Sequence, residues 1–388
     1  MLNKNKIMVK YTYKSINERT KKMKKCIVYY PFKINFKCPS ASNIRPLKIL
    51  KGFEDRGYKV ELIEGYAEER KEKVMKLKKD ILNGDKYDFL YMETSTEPTL
   101  LTDSNHLPMH PFFDYSFLRF CKKNSIRIGL FYRDIHWKFE QYKNNVSLPK
   151  RIIAYSFYYY DLRMYKRYID VLFLPSYEME KYIPIKLNKK VVELPSGCEG
   201  DFLGIEKCKA GKRLNVLYVG GIGKELYNIE LLVKAINEDD NFELTICCRK
   251  EEWQSNKFLY EKYLNERIKV VHLSGIELDE EAEKADLYSI VVKPTEYWKF
   301  VMPMKLFTYI RYGKPILAIK GIVSGKFVED NKIGYTVNYD IKEIKEELNL
   351  IKEAYEKEFL DKQFHLKNTF ENNTWTKRVL SVIECLNN

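Results

Sequence analysis

Glycines and a lysine follow one apolar stretch in the second half of the chain. The segment reads LNVLYVGGIGK and places Gly220, Gly221 and Gly223 directly before Lys224. Glycines let backbone amides approach a ligand closely, and the N-terminus of a following helix favours an anion. A simple turn explains the glycines equally well, and their spacing is not the G-x-G-x-x-G dinucleotide fingerprint. The segment is therefore a candidate anion site.

Two further cations stand where strands are expected to end. Arg249 follows the apolar run FELTICC, and either an anion or solvent explains its position. Lys305 lies two residues after Pro303, a residue suited to the first position of a helix. Thr308 is three residues further on and so is expected on the same helical face. One short helix would then offer a cation and a hydroxyl to a nucleoside diphosphate and its sugar.

In the first half, the run IGLFYRDIHW ends in Arg133, Asp134 and His136. These three are the candidate catalytic residues. A surface ion pair between the first two is the alternative, and packing beside Trp137 explains His136 equally well. No metal site is predicted, because a proline interrupts the histidine pair at 106 and 110 and no Asp-x-Asp motif occurs.

Apolar runs of strand length alternate with helix-length segments along the chain. This pattern predicts an α/β fold with parallel sheets, in which ligands bind beyond the carboxyl ends of the strands. Four glycines and no periodicity mark the segment between Gly197 and Lys212, in which we place the domain linker. The predicted organisation is a basic tail (1–25), an N-terminal domain (26–197), a linker (198–213), a C-terminal domain (214–372) and a final helix (373–388).

The chain has 388 residues, which suits two domains, and a net charge of +14. Residues 1–25 carry nine Lys/Arg and one glutamate, so the tail is +8 and the remainder only +6. The tail is either a solubilising arm or a contact to an anionic membrane surface. The tyrosine-rich segment 150–168 is either a core-facing helix or a membrane-surface helix. A nucleic-acid partner is not expected, because the body is only mildly basic and carries no recognisable module.

The length of the apolar runs is evidence on the cellular compartment of the protein. No run approaches the roughly 18–20 apolar residues of a membrane span, and lysines interrupt the N-terminus where a signal peptide needs its apolar core. Eight cysteines without a CxxC pair are interpreted as reduced and structural. The sequence therefore predicts a cytoplasmic protein, with peripheral attachment to the inner face of the membrane as a further option.

The segment from Val291 to Ala318 resembles the donor-site signature of family 4 retaining glycosyltransferases with the GT-B fold. The matching positions are Pro294, Pro303, Lys305, Leu306, Phe307, Tyr309, Gly313, Lys314 and Pro315. LYVGGIG resembles the family's loop under the diphosphate. Three positions depart from the family pattern: Thr308 replaces the glutamate that binds the ribose, Gly221 replaces an arginine, and Phe300 replaces the first acid of the E-x7-E pair. Glu296 is the nearest acid to that last position.

The resemblance implies two Rossmann-like domains facing each other across a cleft, with the final helix crossing back onto the N-terminal domain. It implies an acceptor-binding N-terminal domain, a nucleotide-sugar-binding C-terminal domain, and transfer of a hexose to a hydroxyl with retention of configuration. No cofactor or metal is expected, since loop amides, Lys224, Arg249 and Lys305 would stabilise the leaving diphosphate. The expected acceptor is a lipid-linked or surface-polysaccharide glycan. The rival hypothesis, motivated by Thr308 and Phe300, is a non-catalytic GT-B-like module that binds a sugar nucleotide or glycan.

Overall fold

The computed structural model describes residues 24–35, 41–204 and 211–388. Almost all of the predicted basic tail lies outside these residues, as does the middle of the predicted linker. The six cysteines within the described ranges are free thiols, and five of them are buried.

The first sheet has six parallel strands in the order β2-β1-β3-β4-β5-β6. Its inner strands are almost fully buried, which explains why they are continuous apolar runs and not alternating ones. The strands are β1 (Lys24–Tyr29), β2 (Tyr58–Ile63), β3 (Phe89–Glu93), β4 (Arg127–Phe131), β5 (Val171–Leu174) and β6 (Lys190–Glu193). The helices are α1 (Ala41–Asp55), α2 (Ala67–Leu82), α3 (Phe113–Lys123), α4 (Glu140–Asn145) and α5 (Leu148–Tyr168).

Helix α5 is the tyrosine-rich segment for which two interpretations were open. Its inner face packs against the domain core, and Tyr158 stacks on Trp137 with ring centroids 4.6 Å apart. The core-facing interpretation therefore holds for this face. At the N-terminal end of the helix, Leu148, Ile152 and Ile153 are exposed. Within the described ranges, no helix is both long enough and apolar enough to cross a membrane.

The second sheet also has six parallel strands, in the order β9-β8-β7-β10-β11-β12. They are β7 (Leu214–Val219), β8 (Phe242–Cys247), β9 (Ile268–Val271), β10 (Leu287–Ser289), β11 (Ile316–Ile319) and β12 (Gly334–Val337). The helices are α6 (Glu230–Asn237), α7 (Lys250–Asn256), α8 (Ile276–Lys284), α9 (Met304–Arg311), α10 (Val323–Asp330), α11 (Ile341–Asn372) and α12 (Trp375–Asn387). The sequence pattern does not predict β12 and α10, because both are short and each contains a glycine.

The final helix, α12, returns to the first domain, as predicted. Its apolar face joins the core around β1 and α1, and two glycines of the first domain make room for it. A Cβ atom at Gly52 would lie 2.5 Å from Val379, and one at Gly129 would lie 2.9 Å from Leu386. The expectation of two Rossmann-like domains tied together by a C-terminal helix is therefore confirmed.

Candidate functional site

The strand order of the second sheet reverses between β7 and β10. From β7 the chain moves outward to β8 and β9, and from β10 it moves the other way to β11 and β12. Doubly wound sheets open a crevice at the carboxyl ends of the two strands that flank such a reversal. The glycine loop follows β7 and helix α9 follows β10, so both predicted donor segments meet at this crevice.

Lys305 is the central residue of the crevice. Its ammonium is buried and has no hydrogen-bond partner among the described residues. It lies 3.9 Å from the centroid of the Tyr218 ring and 3.4 Å from the position a Cβ would take at Gly220. Burial lowers the pKa of Lys305 to about 7. A buried cation without an acid partner is unfavourable for the isolated protein, and a bound anion would remove that penalty.

The start of helix α9 differs slightly from the prediction. Pro303 lies at the N-cap, one residue before the first helical residue, Met304. Lys305 is therefore in the first turn, where the helix dipole also favours an anion. Thr308 lies one turn further on but is exposed, and its hydroxyl donates a weak bond to the Met304 carbonyl at 3.5 Å. The helix thus directs Lys305 into the enclosed crevice and Thr308 toward solvent.

The glycine loop is held by neighbours that the sequence did not indicate. Gly220 has a φ of +141°, a conformation that favours glycine. Glu252 accepts a hydrogen bond from the Ile222 amide at 2.9 Å. A side chain at Gly221 would meet Tyr227 at 2.7 Å and Glu252 at 2.8 Å, so the space for an arginine at this position is filled.

The other residues predicted to bind the donor lie around the rim of the crevice. Gly223 borders open space, and Lys224 beside it is exposed. Arg249 is exposed and lies directly before α7, at the end of β8. The Glu296 carboxylate pairs with Lys299 and accepts a hydrogen bond from Tyr182 at 3.3 Å. Glu296 therefore lies where the two domains touch.

Asp134 and His136 form the opposite wall of the cleft. One oxygen of Asp134 accepts hydrogen bonds from the amides of Ile135 and His136, at 2.6 and 3.0 Å. The other oxygen accepts the hydroxyl of Tyr297, from the C-terminal domain, at 2.9 Å. His136 Nδ1 lies 3.8 Å from this oxygen and has no hydrogen bond among the described residues. Burial lowers the pKa of His136 despite the neighbouring carboxylate, so its ring is neutral at pH 7.

Arg133 belongs to a buried network and not to a surface ion pair with Asp134. Its guanidinium donates to Glu93 at 3.0 Å, and Glu93 is fully buried at the end of β3. Glu93 also accepts bonds from Arg45 at 3.0 Å and from the Tyr91 hydroxyl at 2.7 Å. Two guanidinium groups therefore compensate one buried carboxylate, and the network fixes Arg133 at the exit of β4.

A polar hollow of about 340 Å³ opens at the carboxyl ends of β1 and β3, where the order of the first sheet reverses. Arg133 forms part of its wall. The lining also includes Tyr66, Glu97, Asp103 and His106. Hydroxyls, carboxylates and aromatic rings are groups that bind a ligand with many hydroxyls. No local sequence pattern indicates that these residues meet, because they come from separate segments of the chain.

The two walls of the cleft are in direct contact. Ser176 donates a hydrogen bond to the Phe300 carbonyl at 2.6 Å, and the Phe300 ring packs against Phe139 and Tyr182. Phe300, which stands where the resembled family has the first acid of its E-x7-E pair, is therefore an aromatic residue of the domain contact. Nearby, burial raises the pKa of Tyr227, and the charge of the neighbouring Asp134 carboxylate adds to this shift. Asp134 thus lies next to the glycine loop, although the two are far apart in sequence.

Similar proteins are found by family and by structure. The family model described as "Glucosyltransferase 3-like, C-terminal domain" matches residues 283–383, a segment that includes Lys305. No curated protein sequence matches. A glycosyltransferase from Rickettsia africae is similar over 94% of this chain and 98% of its own, with a TM-score of 0.64 and 10% identity.

Two further structures align over nearly their whole length. HepE of Anabaena, in complex with UDP and glucose, covers 94% of this chain and 99% of its own, with a TM-score of 0.59 and 12% identity. WaaG, a glycosyltransferase involved in lipopolysaccharide biosynthesis, covers 93% and 99%, with a TM-score of 0.57 and 13% identity. The part of the chain that the structure describes therefore has the GT-B fold.

Proposed function

We propose that this protein is a glycosyltransferase that moves a hexose from a nucleoside-diphosphate sugar to an acceptor hydroxyl. The observation that carries the proposal is the buried ammonium of Lys305, unpartnered among the described residues, beside Gly220 at the reversal point of the second sheet. At this point of a GT-B fold, an anion such as the diphosphate of a nucleotide sugar would compensate the buried charge.

The donor half of the reaction follows from this charge. Breaking the bond between sugar and diphosphate leaves negative charge on the diphosphate, and a buried cation stabilises that charge strongly. Because the pKa of Lys305 is about 7, arrival of the diphosphate would raise that pKa and complete its protonation. This stabilisation needs no metal ion, and we therefore propose a metal-independent reaction. A uridine nucleotide is the first donor to test, since the HepE structure holds UDP.

The acceptor half is assigned to the N-terminal domain. Neutral His136 can accept a hydrogen bond from the incoming hydroxyl, and Asp134 is fixed beside it. The polar hollow at β1 and β3 would hold the sugar that carries this hydroxyl. We propose a glycan acceptor, lipid-linked or part of a surface polysaccharide, and retention of configuration as in the family 4 enzymes that the donor segment resembles.

A second function remains a specific alternative. Phe300 stands where the resembled family has an acid, and its ring is buried in the domain contact. A module that binds a sugar nucleotide without turning it over would tolerate that change. The two functions differ in turnover and not in binding, so a single assay separates them.

The test is slow hydrolysis of UDP-, GDP- and TDP-hexoses, measured as nucleotide release with and without excess EDTA. We expect release from at least one donor, unchanged by EDTA, and lost in Lys305→Ala but retained in Lys284→Ala. The second variant removes an exposed lysine at the end of α8, on the amino-terminal side of β10, and is the matched control. Binding without release would favour the non-catalytic module, and activity restored only by Mn²⁺ would contradict metal independence.

The proposed location is the cytoplasm, with peripheral attachment to the inner face of the membrane. Its support is the basic N-terminal segment, where each cation near an anionic surface contributes about 1 kcal/mol. Removing residues 1–23 should weaken binding to anionic liposomes, most strongly at low salt, and leave donor hydrolysis unchanged. Undiminished liposome binding by the truncated protein would refute the tail as the anchor.

A further inference from the structure

The outward face of helix α5 carries exposed apolar side chains. Its inward face packs on the core of the first domain, whereas Leu148, Ile152 and Ile153 are 60%, 58% and 55% exposed. Phe112, at the N-terminal end of the adjoining helix α3, is 76% exposed. The two helices lie side by side, because tyrosine rings from both meet with centroids 5.3 Å apart. Exposed apolar residues therefore occur on two neighbouring helices of the same layer.

The charges at the surface of these two helices are all positive. Their two acids, Asp114 and Asp161, are buried. The cations are exposed or half-buried, and they are Arg119, Lys122, Lys123, Lys150, Arg151, Arg163, Lys166 and Arg167. Among the described residues only Lys122 of this set forms an ion pair, with Asp170 just after α5. A surface with so few compensating acids attracts an anionic partner.

The apolar residues and the cations of α5 occupy the same side of the helix. A single exposed stripe, with the spacing i, i+4, i+11 and i+15, is formed by Ile152, Ser156, Arg163 and Arg167. A bilayer matches both kinds of residue, since isoleucine enters the boundary between head groups and acyl chains while cations bind lipid phosphates. A polyanion such as a nucleic acid would match the cations and leave the apolar side chains in water.

The place where the basic tail joins the fold supports the same partner. The tail leads into β1, and the sheet register aligns Cys26 of β1 with Phe89 of β3 and Arg127 of β4. Lys123, at the C-terminal end of α3, is four residues before Arg127. Two strand spacings, or about 10 Å, separate β1 from β4. The tail therefore enters the fold at the edge of the sheet where the cations of α3 lie.

We propose that the outward face of α5 and α3 binds an anionic bilayer. Helix α5 also supports a wall of the polar hollow, because the Tyr158 hydroxyl donates a hydrogen bond to the carbonyl of Thr96, a lining residue, at 2.7 Å. The hollow would then lie beside the bilayer, which favours a lipid-linked acceptor over a soluble one. This consequence for the acceptor rests on the proposed function, whereas the bilayer-binding surface does not.

The test is co-sedimentation of the full chain with vesicles of phosphatidylcholine and phosphatidylglycerol in equal amounts. Ile152→Ser/Ile153→Ser removes two exposed apolar side chains and should lower the partition coefficient at least about fivefold. Arg163→Glu/Arg167→Glu should lower it at least about tenfold and weaken its dependence on salt, since each cation near an anionic surface contributes roughly a factor of five.

Matched controls lie on helix α11 of the second domain. Leu350→Ser/Leu360→Ser removes two apolar side chains of similar exposure, 59% and 62%. Lys357→Glu/Lys367→Glu reverses two exposed charges and so changes the net charge by the same amount. Neither control should reduce vesicle binding, because charges more than about 10 Å from the bilayer are largely screened.

Insertion is measured with brominated lipids, which quench tryptophan fluorescence. Ile153→Trp adds a fluorophore at the start of α5, and its quenching should exceed that of the parent protein. Leu350→Trp adds one on α11 and should show no such gain.

Three results would overturn the proposal. They are absence of vesicle binding, binding that neither α5 double variant reduces, and a loss confined to the arginine variant without quenching of Ile153→Trp, which would indicate a general polyanion site. Donor hydrolysis in solution should be the same in all these variants. A protein without transferase activity would therefore still pass or fail this test on vesicle binding alone.

Discussion

Replacement of Lys305 by methionine is expected to stabilise the ligand-free protein and weaken nucleotide binding at the same time. Methionine keeps the length of the side chain and its contact with the Tyr218 ring but removes the buried charge. Opposite effects on stability and binding are typical of a residue that is retained for function at some loss of stability.

The sign of the stability effect follows from the pKa. The pKa of Lys305 falls from 10.5 to about 7 on folding. Between these two values the unfolded chain binds more protons than the folded one, so the contribution of this lysine to stability rises with pH from about 7 to 10.5. At pH 7 most of the burial penalty is present, and one pKa unit corresponds to about 1.4 kcal/mol. Removing the charge should therefore raise the melting temperature by at least about 4 °C.

The binding effect has the opposite sign. A hydrogen bond to a charged group contributes about 1.5–3 kcal/mol, so the affinity for UDP or GDP should fall by roughly 10- to 150-fold. Affinity for the uncharged nucleosides should change little, because Lys305 is assigned to the diphosphate.

Thermal unfolding with and without nucleotide, together with calorimetric titration, measures both effects. Lys224→Met is the control, because that lysine is exposed beside Gly223 and should leave the melting temperature unchanged. A lower melting temperature for Lys305→Met would mean that this lysine supports the fold. Equal losses of nucleotide and nucleoside affinity would refute its assignment to the diphosphate.

Three further predictions concern other parts of the molecule. Thr308→Glu should retain or improve UDP affinity, with the gain absent for a nucleotide that lacks the ribose hydroxyls; loss of binding with an intact fold would place the ribose contact elsewhere. Tyr297→Phe removes the hydrogen bond between the domains to Asp134 and should reduce donor hydrolysis more than UDP affinity, a split visible in steady-state kinetics against titration. Burial raises the pKa of Asp161 to about 7, above its unfolded value of 3.8, so stability should fall as pH rises from about 4 to 7. Asp161→Asn should flatten that slope in urea unfolding measured across this range, and an unchanged slope would contradict the assignment.

Much of the fold could be predicted from local pattern. Buried parallel strands are apolar on both faces, so β1, β3, β4 and β7 are evident as continuous runs. The amphipathic final helix and its return to the first domain were predicted as well. Strand β12 was not, because four residues beginning with Gly334 carry no periodicity. Strand β12 forms because it pairs with β11. Only glycine fits at position 334 of this pair, since a Cβ there would lie 1.9 Å from the Ile316 carbonyl oxygen.

The candidate site, like the fold, could be predicted from the sequence only in part. Lys305 and the glycine loop were predicted because cations and glycines at strand exits have a local signature. Glu252, Tyr297 and the Arg45–Glu93 pair were not, because each acts on a group from a separate segment of the chain. The surface ion pair considered for Arg133 was wrong for this reason: its partner, Glu93, is 40 residues earlier and buried.

The sequence by itself determined the two parallel sheets, the position of the basic segment and the residues at each strand exit, since these depend on patterns only a few residues long. The tertiary structure decided which of those residues are enclosed. Lys305 and Thr308 are three residues apart on one helix, yet the ammonium of one is buried beside Gly220 and the hydroxyl of the other faces solvent. Only packing against other segments makes that distinction, because burial, which changes the pKa of a lysine, is a property of the neighbours and not of the residue.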